Sequence, residues 1–193
     1  RDEHRLLPGD GNGGAIYSAG PLEITNSTLV NNRVADGAGI FVAAGTTRVS
    51  NSTISGNTAT TGDASGIKAA GGRLEIVSSL VAGNADSDIA GAGDIVSQGH
   101  NLVSTGTGNA AFGVPTDIVI GAGDPGLDPA GLQDNGGPTL TLALVSGSPA
   151  IDAGANPLGS EVGAEDSLLI DSSAEVDLNF ANGLARFSAQ KNG

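Results

Sequence analysis

The segment "GAGIFVAAGTTRVSNSTISGNTAT" (37–60) decides the fold, because its pattern returns along the chain. Each copy has an isoleucine close to glycine, a short strand pattern, an aliphatic residue and then an asparagine three positions later. The other clear copies are "GGAIYSAGPLEITNSTLVNNRVA" (13–35) and "SGIKAAGGRLEIVSSLVAGNADS" (65–87), and a weaker copy covers 91–106, with Ile95 and Leu102 as its apolar positions. A period of about 25 residues indicates a repeat fold.

The repeated positions form three aliphatic sets. These sets are Ile16, Ile40 and Ile67; Ile24, Val49 and Ile76; and Leu29, Ile54 and Val81. No single copy can bury its own apolar face, so the copies must stack. If the chain coils so that equivalent strands lie parallel and about 4.8 Å apart, the aliphatic sets line a narrow interior. The sequence therefore predicts an all-β, right-handed parallel β-helix with a less regular C-terminal segment.

The turn asparagines fit this stacking. Asparagine tolerates the left-handed backbone conformation, and stacked amides can form hydrogen bonds from one turn to the next. We expect two asparagine ladders, one with Asn26 over Asn51 and the other with Asn32 over Asn57 over Asn84. A β-sandwich with ordinary asparagine and serine surface turns is the alternative, and the constant period argues against it.

Composition restricts the function. The formal net charge is −13, so a basic surface for nucleic acid or for anionic membranes is not expected. The chain has no cysteine, which excludes disulfides, thiolate nucleophiles and cysteine metal sites. Its apolar runs, 142–145 among them, are far shorter than the roughly 20 residues of a membrane span. The first residues lack the apolar core of a signal peptide, so we expect a mature or excised fragment of a longer, extracellular protein.

Two groups of motifs carry a family resemblance. "GGAIY" (13–17), "LVNN" (29–32), "ISGN" (54–57) and "VAGN" (81–84) resemble the repeats of polymorphic outer-membrane proteins, with Leu, Ile or Val in place of Phe. "LQDNGGPTLTLALVSGSPAIDAG" (132–154) is similar to the signature of the choice-of-anchor Q family, large β-helix proteins of the bacterial cell surface. "HNLVSTGTG" (100–108) and "GDPGLDPAGLQDNGGPT" (123–139) match the linker before that signature.

The resemblance implies a division of the chain. Coil turns occupy 1–108, and 109–154 form a linker and a terminal strand and turn that close the coil. In that place Asp134, Asn135 and Asp152 would satisfy backbone groups at the end of the stack. The segment 155–193 departs from the family pattern and is assigned to a separate tail.

The tail contains one amphipathic strand pattern. Val176, Leu178 and Phe180 alternate with polar residues in "AEVDLNF" (174–180). Such a strand either packs on its own molecule or connects to a neighbouring molecule by strand addition.

Catalytic groups are sparse. Glu23 and Glu75 occupy equivalent repeat positions, but Arg48 lies between them, so an outward row of paired charges is favoured over a pair of catalytic carboxylates. His4 and His100 have no partner acid fixed by spacing, Lys68 is isolated, and no nucleophile motif is present. We therefore predict no catalytic residue.

Two glycine-rich segments contain candidate ligands for calcium. "PGDGNGG" (8–14) and "GAGDPGLD" (121–128) place oxygen ligands in glycine-rich turns, with Asp10, Asn12, Asp124 and Asp128 as the candidate ligands. Neither segment completes an EF-hand loop, and ordinary Asx turns explain the same residues.

These observations predict a non-catalytic, structural or adhesive β-helix module of a bacterial surface or the extracellular space. Its expected partners are surface glycans or further copies of itself, since an uncovered first turn would favour head-to-tail fibres unless upstream sequence covers it. The alternative is a polysaccharide lyase or glycoside hydrolase, whose site would gather Asp88, Asp94, Asp117 and Asp124 in a groove.

Overall fold

The computed structural model describes residues 12–155 and two strands of the tail. The chain forms two units, Arg1–Ala155 and Asn156–Gly193. In the first unit, short strands follow one another around a coil. The first turn contains β1 (Ile16–Ser18), β2 (Leu22–Thr25), β3 (Thr28–Val30) and β4 (Arg33–Val34). The second turn contains β5 (Ile40–Val42), β6 (Thr46–Ser50), β7 (Thr53–Ser55) and β8 (Thr58–Ala59).

Two more turns follow in the same order. The third turn contains β9 (Ile67–Ala69), β10 (Arg73–Val77) and β11 (Leu80–Val81). The fourth turn contains β12 (Ile89–Ala90), β13 (Asp94–Ser97) and β14 (Leu102–Val103), and β15 (Ile118–Val119) adds one more strand. The coil therefore continues beyond residue 108, where the sequence had placed its end.

Equivalent strands of successive turns pair in parallel and form three sheets. The first sheet has the order β1-β5-β9-β12, the second β2-β6-β10-β13, and the third β3-β7-β11-β14-β15. The short strands β4 and β8 also pair in parallel. This arrangement confirms the predicted parallel β-helix and argues against a β-sandwich, which is built from antiparallel sheets.

The three aliphatic sets lie in register inside the coil. Ile16, Ile40 and Ile67 are successive partners in the first sheet, and the equivalent residues of the second and third sheets align in the same way. Ile40, Ile67 and Ile89 have no exposed surface. In the fourth turn the inward position of the third sheet is taken by Val103, whereas Leu102 points outward with Leu80.

The glycines before the isoleucines keep the coil narrow. A Cβ atom at Gly39 would lie 2.5 Å from the carbonyl oxygen of Gly66, and one at Gly66 would lie 2.2 Å from that of Asp88. Real side chains do not approach backbone this closely, so the second and third turns need glycine at this point to stack on the next, whereas the first turn has Ala15 there. This close approach explains the glycine next to isoleucine in the repeat.

A short 3₁₀ helix covers the C-terminal end of the coil. It spans Thr107–Ala111 and contacts β12 and β13. Phe112, directly after it, is buried in the same apolar cluster as Ile89 and Val103. These residues shield the interior of the fourth turn from water.

A hairpin lies on the side of the coil. Its strands, β16 (Leu127–Gln133) and β17 (Thr141–Leu144), pair antiparallel. Leu127 and Ala150 pack against Leu80, Ala82 and Leu102, which point outward from the third sheet. Within the described residues β17 pairs with no coil strand. The segment expected to close the end of the coil therefore covers its flank, because the 3₁₀ helix and Phe112 already occupy that end.

The turn residues of this segment also act locally. The Asp134 carboxylate accepts a hydrogen bond from the Gly136 N–H, and Asn135 donates to Thr141. Asp152 adopts a left-handed conformation with φ of 58°. In residues 12–155, the carboxylate of Asp134 and the side-chain amide of Asn135 thus satisfy groups of their own turns rather than groups at the end of the stack.

The second unit contains a hairpin rather than the single strand expected. β18 (Glu175–Ala181) pairs antiparallel with β19 (Leu184–Gln190). Val176, Leu178 and Phe180 are register partners of Ala189, Phe187 and Ala185. The sequence signal for the second strand was the dipeptide "NG" at 182–183, the strongest short marker of a tight hairpin turn.

Candidate functional site

An asparagine ladder runs through the corner between the third and first sheets. Asn32 Nδ2 donates to Asn57 Oδ1 at 2.9 Å, and Asn57 Nδ2 donates to Asn84 Oδ1 at 2.9 Å. The backbone N–H groups of Asn32 and Asn57 donate to the same oxygens. Asn57 Nδ2 also donates to the carbonyl oxygen of Leu29 in the turn before. The Asn57 amide therefore joins its turn to both neighbouring turns.

The ladder ends on a buried carboxylate. Asp88 has no exposed surface, and its Oδ1 accepts hydrogen bonds from the backbone N–H and Nδ2 of Asn84. Its Oδ2 accepts from the Thr105 N–H at 2.7 Å and from the Ser104 hydroxyl. Continuing the pairing of β11 with β14 places Gly106 opposite Asn84, so the fourth turn has no amide to offer. The Asp88 carboxylate supplies the missing acceptor.

A second ladder, which the sequence reasoning missed, runs through the corner between the second and third sheets. The backbone N–H of Ser27 donates to Ser52 Oγ, that of Ser52 to Ser79 Oγ, and that of Ser79 to Asn101 Oδ1. Asn101 then donates to Asp117 Oδ1 through both its backbone N–H and Nδ2. This ladder also ends on an aspartate.

The pair Asn26 and Asn51 plays a different part from the ladder expected for it. Both residues have left-handed backbones, with φ of 50° and 48°, and both are exposed at the same corner. Among the described residues no side-chain hydrogen bond joins them. Asn26 and Asn51 change the direction of the chain at this corner. The residues directly after them, Ser27 and Ser52, point inward and belong to the serine ladder. Ser78 and His100 continue the left-handed row.

Charged residues form a row on the outer face of the second sheet. Glu23, Arg48 and Glu75 are register partners, as their repeat positions imply. Arg48 Nε lies 2.8 Å from Glu75 Oε2, and Arg73 Nε lies 2.7 Å from Glu75 Oε1. The hydrogen bond from Arg73, together with the charge of Arg48, lowers the pKa of Glu75. Glu75 is thus held as a carboxylate between two guanidinium groups.

The four acids of the enzymatic alternative lie in separate settings. Asp88 and Asp117 end the two interior ladders, Asp94 pairs with Arg73 on the outer face, and Asp124 accepts from the N–H of Gly126. In residues 12–155 no three acidic or histidine side chains come together in a way that could hold a metal ion. The groove of converging acids that the alternative requires does not form in this part of the chain.

The calcium candidates also have local partners. Asn12 forms an isolated bridge to Asp36, and Asp128 accepts a hydrogen bond from the Ala130 N–H, which lowers the pKa of Asp128. Asp10 and His4 lie outside the described residues. Asp124 and Asp128 thus act as Asx-turn acceptors.

A cleft of about 310 Å³ opens between the third sheet and the side hairpin. Its floor carries the polar residue Thr53 and the apolar Leu80, and its opposite wall carries Leu142 and Leu144. Leu144 remains 40% exposed, and the outward Thr53 is half-buried. This volume is at the small end of the range for ligand sites, and such sites combine apolar walls with a few polar groups.

His100 lies at one end of this side cleft. Its Nδ1 is 3.0 Å from the carbonyl oxygen of Ala153. A carbonyl oxygen only accepts, so Nδ1 carries a proton and donates. Lys68, by contrast, is on the first sheet, where it pairs with Asp63 and lies 3.7 Å from Asp36. The side cleft therefore offers the Thr53 hydroxyl, the His100 imidazole and leucine side chains, a set suited to binding.

Comparison with known protein families, characterised proteins and solved structures finds no match for this chain. The resemblance to bacterial surface β-helices therefore rests on the quoted motifs alone. In the part of the chain that the structure describes, no helix has the length and apolar character to cross a membrane.

Proposed function

We propose that this chain is a non-catalytic structural and adhesive module of a bacterial cell surface or the extracellular space. Continuous hydrogen-bonded ladders through two corners support a rigid coil, because each turn is fixed to the next by side chains as well as by strands. The dispersal of the acids into structural contacts supports a binding role over a hydrolytic one. The charge of −13 fits neutral partners better than polyanions.

The side cleft is the observation that carries the adhesive part of the proposal. A sugar ring has an apolar face and a rim of hydroxyl groups. The cleft presents leucines on one wall, and Thr53 and His100 on the other side and at its end. A surface glycan is thus the partner whose chemistry matches this lining.

Glycan-array binding by the full chain tests this proposal. Thr53→Phe places a ring in the side cleft and should reduce glycan binding by at least about tenfold, the effect of losing roughly 1.4 kcal/mol. Thr28→Phe is the matched control, since Thr28 is the register partner of Thr53 one turn away and does not line the cleft. Absence of glycan binding, or equal binding by the two variants, contradicts the proposal.

The enzymatic alternative has a direct test with the same protein. Uronide-lyase and glycosidase assays on polysaccharides should give no product above a buffer blank. Turnover that survives purification would replace the adhesive proposal by a catalytic one.

Fibre formation remains a separate prediction. The covered C-terminal end of the coil gives no support to direct stacking of one coil on another, so a connection would have to run through the tail strand at 174–180. Light scattering of the full chain should then show a series of oligomers that disappears when 174–180 are deleted. Oligomers that survive the deletion contradict the connector role.

A further inference from the structure

The opposite end of the coil differs from the covered one. In the part of the chain that the structure describes, β1, β2 and β3 each pair with one strand only. Their unpaired sides together form what we call the leading edge. Unpaired strand edges bind further strands readily, because their N–H and C=O groups are already aligned for pairing.

Interior side chains are partly open at the leading edge. Ile16, Leu22 and Leu29 point into the coil but are only half-buried. Their partners one turn further in, Ile40 and Ile54, have no exposed surface. One more turn of parallel coil would bury this apolar surface in the way the second turn buries the first.

The two ladders also stop at the leading edge with unused acceptors. Inside the coil, Ser52 Oγ and Asn57 Oδ1 each accept a backbone N–H from the turn before. In residues 12–155 no N–H donates to Ser27 Oγ or Asn32 Oδ1, the oxygens at the same places in the first turn. They are positioned to accept the same two hydrogen bonds from an additional turn.

The leading edge also carries an aromatic side chain, that of Tyr17. Tyr17 stacks on Phe41 with ring centroids 5.5 Å apart and planes at 7°. Phe41 is 8% exposed, whereas Tyr17 is 48% exposed. A recess of about 500 Å³, lined by residues 15–22, lies at this ring. Within residues 12–155 the stack is thus covered on the coil side only.

We propose that the leading edge is a joining surface that binds one further turn of parallel β-coil, supplied by another polypeptide segment of the same repeat type. The partner is defined by three features: apolar residues over Ile16 and Leu29, backbone donors over Ser27 and Asn32, and a flat side chain over Tyr17. The covered C-terminal end of a second copy has none of these, so the partner is a bare turn rather than an intact coil end.

A peptide with the sequence of residues 37–60, labelled with a fluorophore, tests the joining surface. It carries the repeat, including an aromatic residue at the position equivalent to Tyr17. Fluorescence anisotropy with the full chain should show saturable one-to-one binding, and a scrambled peptide should not bind. Equal binding of both peptides, or binding of neither, overturns the proposal.

Edge variants locate the binding. Tyr17→Ala should weaken peptide binding roughly tenfold, while Tyr17→Phe keeps the ring and should bind like the parent. Ser27→Ala removes only one acceptor and should weaken binding a few-fold, with circular dichroism confirming that the coil is intact. Peptide binding that is unchanged in both Tyr17→Ala and Ser27→Ala overturns the proposal. Thr53→Phe should leave peptide binding intact, so this proposal and the adhesive one can fail separately.

Discussion

At two corners of the coil, interior side chains join successive turns by hydrogen bonds, with asparagine at one corner and serine at the other. In the asparagine corner, Asn57 accepts two hydrogen bonds from the turn before and donates one to that turn's carbonyl group. In the serine corner, Ser52 accepts one hydrogen bond from the turn before and donates to Ser50 of its own turn. The asparagine side chain therefore links turns through four hydrogen bonds, three to the turn before and one to Asn84 in the turn after, and the serine through one. The comparison teaches that side-chain reach sets how strongly one turn is fixed to the next.

The largest effect at the asparagine corner is expected from removing the Asp88 carboxylate, on which the ladder ends. Asp88→Ala leaves the backbone N–H groups of Asn84 and Thr105 without this acceptor and removes one of the two acceptors of Asn84 Nδ2, so we expect the free energy of unfolding to fall by about 3 kcal/mol or more. Chemical denaturation measures the change.

Asp88→Asn provides the matched variant for this test. It retains Oδ1 as the acceptor for Asn84 but turns an amide group towards Ser104 and Thr105, so its loss should be smaller. If Asp88→Ala were as stable as the parent, the carboxylate would not be the structural end of the ladder.

Substitutions in the middle of each ladder compare the corners directly. Asn57→Ala removes the acceptor of the Asn32 backbone N–H, one of the two acceptors of Asn32 Nδ2 and one donor to the Leu29 carbonyl, and should cost about 2–4 kcal/mol. Ser52→Ala leaves one N–H of Ser27 unpaired and should cost about 1 kcal/mol. Thermal and urea unfolding of both variants give the order, and equal losses would contradict the difference in coupling.

The smallest effect on stability is expected for the row of charged residues on the outer face of the second sheet, which contrasts with the amide and hydroxyl ladders of the interior. The pKa of Glu75 is lowered from 4.5 in the folded protein, so its pairing stabilises the fold above pH 4.5. This contribution disappears as the pH falls through the lowered pKa. Glu75→Gln should therefore flatten the fall in stability below pH 4.5 relative to the parent.

Glu23→Gln is the control for the pH measurement. Glu23 occupies the same place one turn before Arg48, but among the described residues it forms no ion pair. Its substitution should leave the dependence of stability on pH close to that of the parent. An equally flattened profile in both variants would show that the effect is not due to the Arg73 and Arg48 contacts of Glu75.

The fold could be predicted because repetition fixes register. Once Ile16, Ile40 and Ile67 recur with a common pattern, stacking places them over one another without further information. The serine ladder was equally visible, since Ser27, Ser52, Ser79 and Asn101 hold one repeat position. The predicted ladder lies one position earlier, at Asn26 and Asn51, because asparagine favours left-handed turns and its amide can also stack.

Other features depend on the path that the chain takes between and after the repeats, and the repeat period does not predict them. Asp88 reaches the asparagine corner because the chain folds back four residues after Asn84, and no spacing rule indicates that. The side hairpin was misplaced for a similar reason, although the sequence held a sign of it. At one outward-facing position of the third sheet, the residue is threonine in the first two turns (Thr28 and Thr53) and leucine in the next two (Leu80 and Leu102). The leucines form an apolar outer surface, which indicates where a covering element must lie.

The covering of the later turns has a consequence for local opening. Each turn of a coil contacts only its neighbours, so its protection depends on what lies on either side. The first turn has a coil neighbour on one side within the described residues, whereas the fourth carries the 3₁₀ helix, Phe112 and the flanking hairpin. Amide hydrogens of β2 and β3 should therefore exchange with solvent deuterium sooner than those of β10 and β11, and the coil should fray from its first turn inward.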